Sequence, residues 1–204
     1  MPSGMEKQAY ILHFDLPSEG FKFLYDTSKD EDSIKVIKSM AANKIASCRL
    51  ISTRQLHNLG LASSQSVLLI PAGTTDKTID DVIAIVEANY TAINGLLVGF
   101  KLPSIGMPFI RKVPIVKFQF TLFKEMAEKQ LMNRINEQLN NLATKINELT
   151  ALEDKKKKQY KSRYQNKIKE IDEMRDLAKK LDIEADDKFD LLVAMYHKAI
   201  SVVS

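Results

Sequence analysis

The chain has 204 residues, of which 45% are hydrophobic and 27% charged, with no tryptophan, seven glycines and six prolines. This composition suits a globular protein with one core or one core plus an appendage, and the scarcity of glycine and proline favours helices over an all-β sandwich. The formal net charge of +4 permits an anionic partner but does not require one.

The cysteine count and the apolar runs bear on where the protein resides. The single cysteine, Cys48, excludes a disulfide within the chain and fits a reducing compartment. The first residues lack the apolar segment of a secretory signal, and the longest apolar runs fall far short of the ~20 residues of a membrane-spanning helix. We therefore expect a soluble, cytoplasmic protein without a membrane partner.

Alternating apolar residues predict a β-hairpin at the start of the chain. Apolar Tyr10, Leu12 and Phe14 alternate with polar residues over positions 9–16, which is the pattern of a half-buried strand. Residues 17–20 have turn composition, and residues 21–25 alternate again. The two runs together predict two antiparallel strands.

The next segment predicts helices and short connecting pieces. Apolar spacing changes to 3.6 over residues 33–46, which predicts a helix, followed by a short strand at 48–51 and a short helix at 53–59 that Gly60 ends. Residues 53–67 also have the spacing of a DNA-binding helix-turn-helix. Apolar residues 68–70 oppose that interpretation, because a recognition helix carries polar and basic residues.

Residues 66–120 complete the first predicted domain. The apolar run at 66–70 predicts a buried strand, and Thr78 with Asp81 forms a capping box for a helix that ends at Asn94 and Gly95. Strands are predicted at 96–102 and 113–120. We expect an α+β domain with a mostly antiparallel sheet over residues 1–120.

The loop between the last two predicted strands is a candidate nucleic-acid contact. It carries Arg111 and Lys112 next to the aromatic Phe109. A hairpin tip of this kind reaches a nucleic-acid groove, but an ordinary exposed loop has the same composition.

From residue 121 to 204 the chain is rich in strong helix formers and contains no glycine or proline. Five apolar residues spaced 4, 3, 4 and 3 form an a/d seam of about two heptads. This seam consists of Ile135, Leu139, Leu142, Ile146 and Leu149. It predicts coiled-coil-like pairing, and we expect a homodimer or higher oligomer through it.

The seam breaks in a polar run at residues 153–159. Either the chain turns back there into a helical hairpin, or one helix continues and pairs with a second chain. A last helix begins at Asp186 or Asp187 and has an apolar face. The predicted fold class is therefore α+β, with a small, mostly antiparallel sheet domain followed by a coiled-coil-like helical hairpin and a C-terminal helix.

The strongest charge feature follows the break. Residues 153–170 carry eight positive and three negative charges, a net of +5, whereas residues 171–190 carry four positive and eight negative charges, a net of −4. The basic cluster, with its interleaved tyrosines, consists of Lys155, Lys156, Lys157, Lys158, Tyr160, Lys161, Arg163, Tyr164, Lys167 and Lys169. It predicts phosphate contacts, with tyrosines stacking on bases. The alternative is that the lysines keep a solvated tip soluble and the tyrosines continue the core stripe.

No short catalytic or metal-binding motif occurs in the sequence, and the paired carboxylates at 80–81 and 186–187 begin helices, where capping explains them. We expect no catalytic residue, metal, cofactor or small-molecule substrate. The leading hypothesis is a non-enzymatic, sequence-tolerant nucleic-acid-binding protein that oligomerises through its C-terminal helices. The alternative is a protein-interaction scaffold without a nucleic-acid role. The sequence does not distinguish DNA from RNA.

Overall fold

The structure, a computed structural model, describes residues 8–17 and 22–204. Within these residues the chain forms a four-stranded antiparallel sheet and six helices, consistent with the predicted α+β class. In chain order the elements are β1 (Tyr10–Asp15), α1 (Lys22–Tyr25), α2 (Asp32–His57), β2 (Leu61–Ser64), β3 (Val67–Ile70), α3 (Asp76–Gly99), β4 (Phe109–Pro114), α4 (Lys117–Leu149), α5 (Asp154–Lys180) and α6 (Asp186–Val202).

The sheet has the strand order β2-β3-β1-β4, so β2 and β4 lie at its two edges. Strand β1 is one of the two inner strands, and its residue Leu12 lies opposite Leu68 of β3 and Lys112 of β4. Since side chains alternate along a strand, each strand sends residues to both faces. Leu12 and Leu68 pack with α2 and α3 on one face, whereas Leu69 packs with α4, α5 and α6 on the other. The sheet is therefore the middle of three layers.

The predicted second strand of an N-terminal hairpin is wrong within the described residues. Residues 22–25 form the short helix α1, and Leu24 of this helix is buried in the core beneath α2. A strand could not pair with β1 here, because β3 and β4 occupy both of its edges. The predicted turn at Ser18 to Gly20, and Phe21 after it, lie outside the described residues.

Helix α2 lies where the sequence predicts a helix at 33–46, a short strand at 48–51 and a short helix at 53–59. Asp32–His57 is one helix of 26 residues, and the predicted strand at 48–51 lies inside it. No glycine or proline interrupts these residues, and Ala41, Ile45, Ser52 and Leu56 continue a single buried face.

The helix-turn-helix hypothesis is wrong, because β2 occupies the place of the second helix. Leu61 of β2 pairs with Leu69 of β3. The two segments approach so closely before β2 that a Cβ atom at Gly60 would lie 2.2 Å from the Leu69 carbonyl oxygen. Glycine is therefore needed at this position for packing and not only as a helix stop.

Helix α3 is longer than predicted at both ends. Thr75 is its N-cap and accepts a hydrogen bond from the Thr78 backbone N–H at 3.1 Å. The helix passes through Gly95 and replaces most of the predicted strand at 96–102. It ends in a Schellman motif, in which Lys101 has φ 57° and the Leu102 N–H donates to the Leu97 carbonyl at 2.8 Å. By length and composition alone, α3 would also be able to cross a membrane.

The last strand lies earlier than predicted. Strand β4 spans Phe109–Pro114 and pairs with β1 along all six residues, so Arg111 and Lys112 lie in a strand and not at a hairpin tip. The segment before it follows helix α3 directly. Helix α4 begins at residue 117, which places the second half of the predicted strand at 113–120 in the helix.

The chain turns back between α4 and α5, which decides between the two geometries that the sequence allows. Residues 150–153 connect them, and the Lys124 Nζ near the start of α4 lies 3.1 Å from Asp182 Oδ2 just past the end of α5. This contact requires the chain to double back. Asp182 has φ 55° and ends α5 in a second Schellman motif.

Helix α6 packs against both α4 and α5 and completes the third layer. Its predicted apolar face is confirmed, with Phe189, Leu192 and Tyr196 buried. The seam of α4 is turned into the same core, where four of its residues are buried and Leu139 is partly buried. The expectation that the seam faces a second chain is thus corrected, because the chain's own helices cover it. Self-association by another surface stays a prediction.

Candidate nucleic-acid interface and the adjoining cleft

The basic cluster lies on the first half of α5, next to the turn of the hairpin. Among the residues that the structure describes, only Lys167 of its eight cations has an ion-pair partner, Glu170, at 2.5 Å. The other seven cations have no acidic or hydrogen-bonding side-chain partner in the described chain, and most of them are exposed. Their charges are therefore available to an anionic binding partner.

The cations of the cluster are divided between two flanks of the helix. Successive residues are rotated by about 100° around a helix axis, which separates two rows. One row holds Lys155, Lys158, Lys161 and Lys169, and the other holds Lys156, Arg163 and Lys167. Lys157 is half-buried between them. The cluster is thus a broad basic face and not one narrow stripe.

The tyrosines of the cluster belong to the core. Tyr164 is buried, with its ring centroid 5.5 Å from Tyr196 of α6 and 5.7 Å from Tyr160. Tyr160 is half-buried against the same core. Burial raises the pKa of the Tyr164 hydroxyl. The predicted stacking of bases is not available to Tyr164 in this fold, and the alternative interpretation as a core stripe is confirmed for it.

The acidic second half of α5 and the start of α6 do not neutralise the basic cluster. Arg175 lies 2.6 Å from Asp190, and Lys179 lies 3.6 Å from Asp186. These pairs hold the end of α5 against α6, far along the helix from the lysines at its start. The polarity of charge along α5 is therefore retained in the folded chain.

The two basic residues of β4 are not brought to the cluster. Lys112 Nζ lies 2.8 Å from both Asp76 and Asp80 at the start of α3, and the hydrogen bond to Asp76 raises the pKa of Lys112. Arg111 is exposed. Strand β4 lies at the sheet edge opposite to β2, the strand that α5 contacts. Of the two residues, only Arg111 remains open to an anionic partner.

A cleft that the sequence does not predict lies between α2, α4 and α5. Its volume is about 410 Å³. Its rim carries Arg54 and His57 from α2, Arg134 from α4, and Lys167 and Glu170 from α5. These residues are far apart in the sequence and none belongs to a motif, so no local signal could have joined them.

Charge in the cleft is unevenly balanced. Glu170 is shared by two cations, with Arg54 at 3.5 Å and Lys167 at 2.5 Å. Arg134 has no carboxylate partner among the residues that the structure describes. Burial, and then the charge of Arg134, lower the pKa of His57 to about 4. His57 is therefore neutral at physiological pH and offers hydrogen bonds without charge.

Neither a metal centre nor a known relative adds to this description. Within residues 8–17 and 22–204, no group of three or more histidine, cysteine or acidic side chains is arranged to hold a metal ion. No family model, curated protein or solved structure matches the chain. We therefore infer the function from the residues themselves.

Proposed function

We propose that the protein binds nucleic acid without sequence preference, through the basic face of α5. The observation that carries the proposal is the set of seven cations between residues 155 and 169 of α5 that have no acidic partner in the described chain. Free lysines and arginines neutralise phosphates and release counterions, which favours binding irrespective of sequence. No enzymatic step is part of the proposal.

The burial of the tyrosines refines the mode of binding. Proteins that prefer single strands stack bases on exposed aromatic side chains. Tyr164 is buried and Tyr160 is half-buried, so this face offers charge without a stacking platform. We therefore expect contacts to the phosphates of a duplex, with little preference for a single strand of the same length.

The experiment compares wild type with a variant in which Lys155, Lys156, Lys157 and Lys158 are changed to alanine. Binding of a short fluorescent DNA duplex is measured by anisotropy across a salt series. We expect the variant to bind on the order of 100-fold more weakly at low salt, and its salt dependence to lose about three released counterions. Three is expected because Lys157 is half-buried.

A control variant removes the same charge from elsewhere. Lys29, Lys44, Lys77 and Lys101 are exposed and have no ion pair within the described residues. Changing these four residues to alanine alters the net charge equally and is expected to leave most of the affinity intact. Absence of binding by wild type at low salt would refute the proposal, as would equal weakening in the two variants.

A second candidate function is a protein-interaction module in which the same lysines meet an acidic protein surface. The observation that favours it is the lack of an exposed aromatic residue in the cluster, since a protein partner needs no stacking platform. Light scattering tests self-association. A pull-down that nuclease treatment does not change, and that the Lys155–158 variant loses, would support this function over nucleic-acid binding.

A further inference from the structure

We propose that the cleft between α2, α4 and α5 binds a small amphipathic anion, a carboxylate on an apolar chain, with Arg134 as its charge partner. The inference is independent of nucleic-acid binding. It rests on the shape of the cleft, its apolar floor and the unequal pairing of the charges on its rim.

The size and lining of the cleft suit a small organic molecule. Ligand pockets commonly measure about 300–1,000 Å³ and combine an apolar lining with a few convergent polar groups. The cleft measures about 410 Å³, and its apolar lining includes Leu61, Leu131, Met174 and Leu177. The polar groups lie around this apolar surface. An elongated apolar body therefore fits the floor, while a charged end reaches the rim.

The charges on the rim favour an anion, because they sum to +1 although Glu173, like Arg134, has no ion pair among the described residues. The cleft is lined by three cations, Arg54, Arg134 and Lys167, and by two carboxylates, Glu170 and Glu173. Glu170 already satisfies Arg54 and Lys167, whereas Arg134 has no carboxylate partner in the described chain. A guanidinium donates two parallel hydrogen bonds to a carboxylate, and an ammonium does not offer this geometry. Arg134 is thus the group that a bound carboxylate would pair with.

His57 supplies a second, uncharged contact beside Arg134. Its ring contacts Phe14 edge-on, with centroids 6.1 Å apart, which anchors it to the sheet. Because burial and Arg134 keep the pKa of His57 near 4, the imidazole stays neutral and does not compete with Arg134 for the anion. A neutral imidazole N–H is able to donate a hydrogen bond to the same carboxylate.

The test uses decanoate as the probe and isothermal titration calorimetry as the measurement. Decyltrimethylammonium has the same chain with the opposite charge, and both are used below the concentration at which they form micelles. We expect saturable binding of decanoate to wild type, and no saturable binding of decyltrimethylammonium. Equal binding of the two would show a merely apolar surface and overturn the proposal.

Two substitutions with opposite expected effects on decanoate affinity test whether the binding site is the cleft. Arg134→Gln removes the charge partner and should weaken decanoate binding about tenfold. Glu170→Gln removes the carboxylate that occupies Arg54 and Lys167, and should tighten binding about threefold because two further cations become available. Arg111→Gln removes an exposed guanidinium from strand β4, which does not line the cleft, and should leave decanoate binding unchanged.

The substitutions also separate this site from the basic face. The Lys155–158 alanine variant should bind decanoate as wild type does, while its binding of DNA is weakened. If Arg134→Gln binds as tightly as Arg111→Gln, or if Glu170→Gln weakens binding, the assignment to the cleft is wrong. Circular dichroism of each variant checks that the fold is retained, which we expect because Arg111, Arg134 and three of the four substituted lysines are exposed.

Discussion

Helices α2 and α4 lie on opposite faces of the same sheet, and their apolar residues differ in how far they are buried. On α4, the regular seam is covered by the chain's own α5 and α6 and forms a core. On α2, several apolar residues remain in solvent, among them Val36, Leu50 and Ile51, with exposed fractions of 59%, 72% and 52%. The coiled-coil-like seam of α4 is thus covered within the chain, whereas the less regular α2 keeps an open apolar surface.

The difference shows what a heptad pattern specifies and what it leaves open. A repeat of apolar residues at a and d positions requires that one face of a helix be covered. It does not state whether the cover comes from another chain or from a later part of the same chain. In this protein α6 supplies it, because the turns after α4 and α5 return the chain to the seam.

The largest effect is expected from a substitution in the seam. Ile135 is 1% exposed, and Ile135→Ala should lower the free energy of unfolding by about 3 kcal/mol, because the shortened side chain leaves a cavity. Since the seam is covered within one chain, the loss should not depend on protein concentration. Urea unfolding at concentrations that differ a hundredfold checks this. A stability that rises with concentration would show that the seam joins two chains.

A second prediction concerns the buried end of α2 and its response to pH. The folded chain lowers the pKa of His57 to about 4 from 6.5, so the unfolded chain takes up a proton first as the pH falls. The free energy of unfolding should therefore decrease between pH 6.5 and pH 4, by about 2 kcal/mol once the partial exposure of the ring is allowed for.

The variant His57→Gln isolates this contribution. It lacks the titrating group, so its free energy of unfolding should fall less over the same pH range, and carboxylates elsewhere cancel in the comparison with wild type. Denaturant unfolding at several pH values provides the measurement. Parallel pH profiles for the two proteins would contradict the assigned pKa.

Sequence patterns predicted the helical part better than the sheet part, for a physical reason. The apolar stripes of α4, α5 and α6 are local and repeat many times, so each helix is signalled by its own residues. Strand β2 contains only Leu61 to Ser64 and exists because it pairs with β3. Its residues carry no signal of their own, and the same is true of the tertiary contact that makes Gly60 necessary.

The candidate sites divide in the same way. The basic cluster is contiguous in sequence and was predicted as a unit, although the burial of Tyr164 depends on α6 and could not be read from α5 alone. The predicted end of helix α3 at Gly95 is too early. The helix ends where Lys101 adopts a left-handed backbone conformation, which lysine rarely does, so the sequence carries no signal for this end. The cleft required three distant helices to be placed together first.

A smaller effect is expected within the core between α2, α3 and the sheet. Tyr90 is 1% exposed, and its hydroxyl has no hydrogen-bond partner among the described residues, which costs free energy in the folded state. Tyr90→Phe should raise the free energy of unfolding by about 1 kcal/mol. Tyr25→Phe is the control, because that side chain is 73% exposed and its hydroxyl meets solvent. A loss of stability in Tyr90→Phe would mean that the hydroxyl is satisfied in solution.

The smallest effect is expected on the open face of α2, where it completes the comparison with α4. Leu50 is 72% exposed, so Leu50→Ser should change the free energy of unfolding by less than about 0.5 kcal/mol. The large difference from Ile135→Ala would follow only from burial, since both residues are aliphatic and lie inside long helices. If Leu50→Ser instead costs as much as Ile135→Ala, and more so at high protein concentration, then α2 and not α4 carries the surface through which this chain associates.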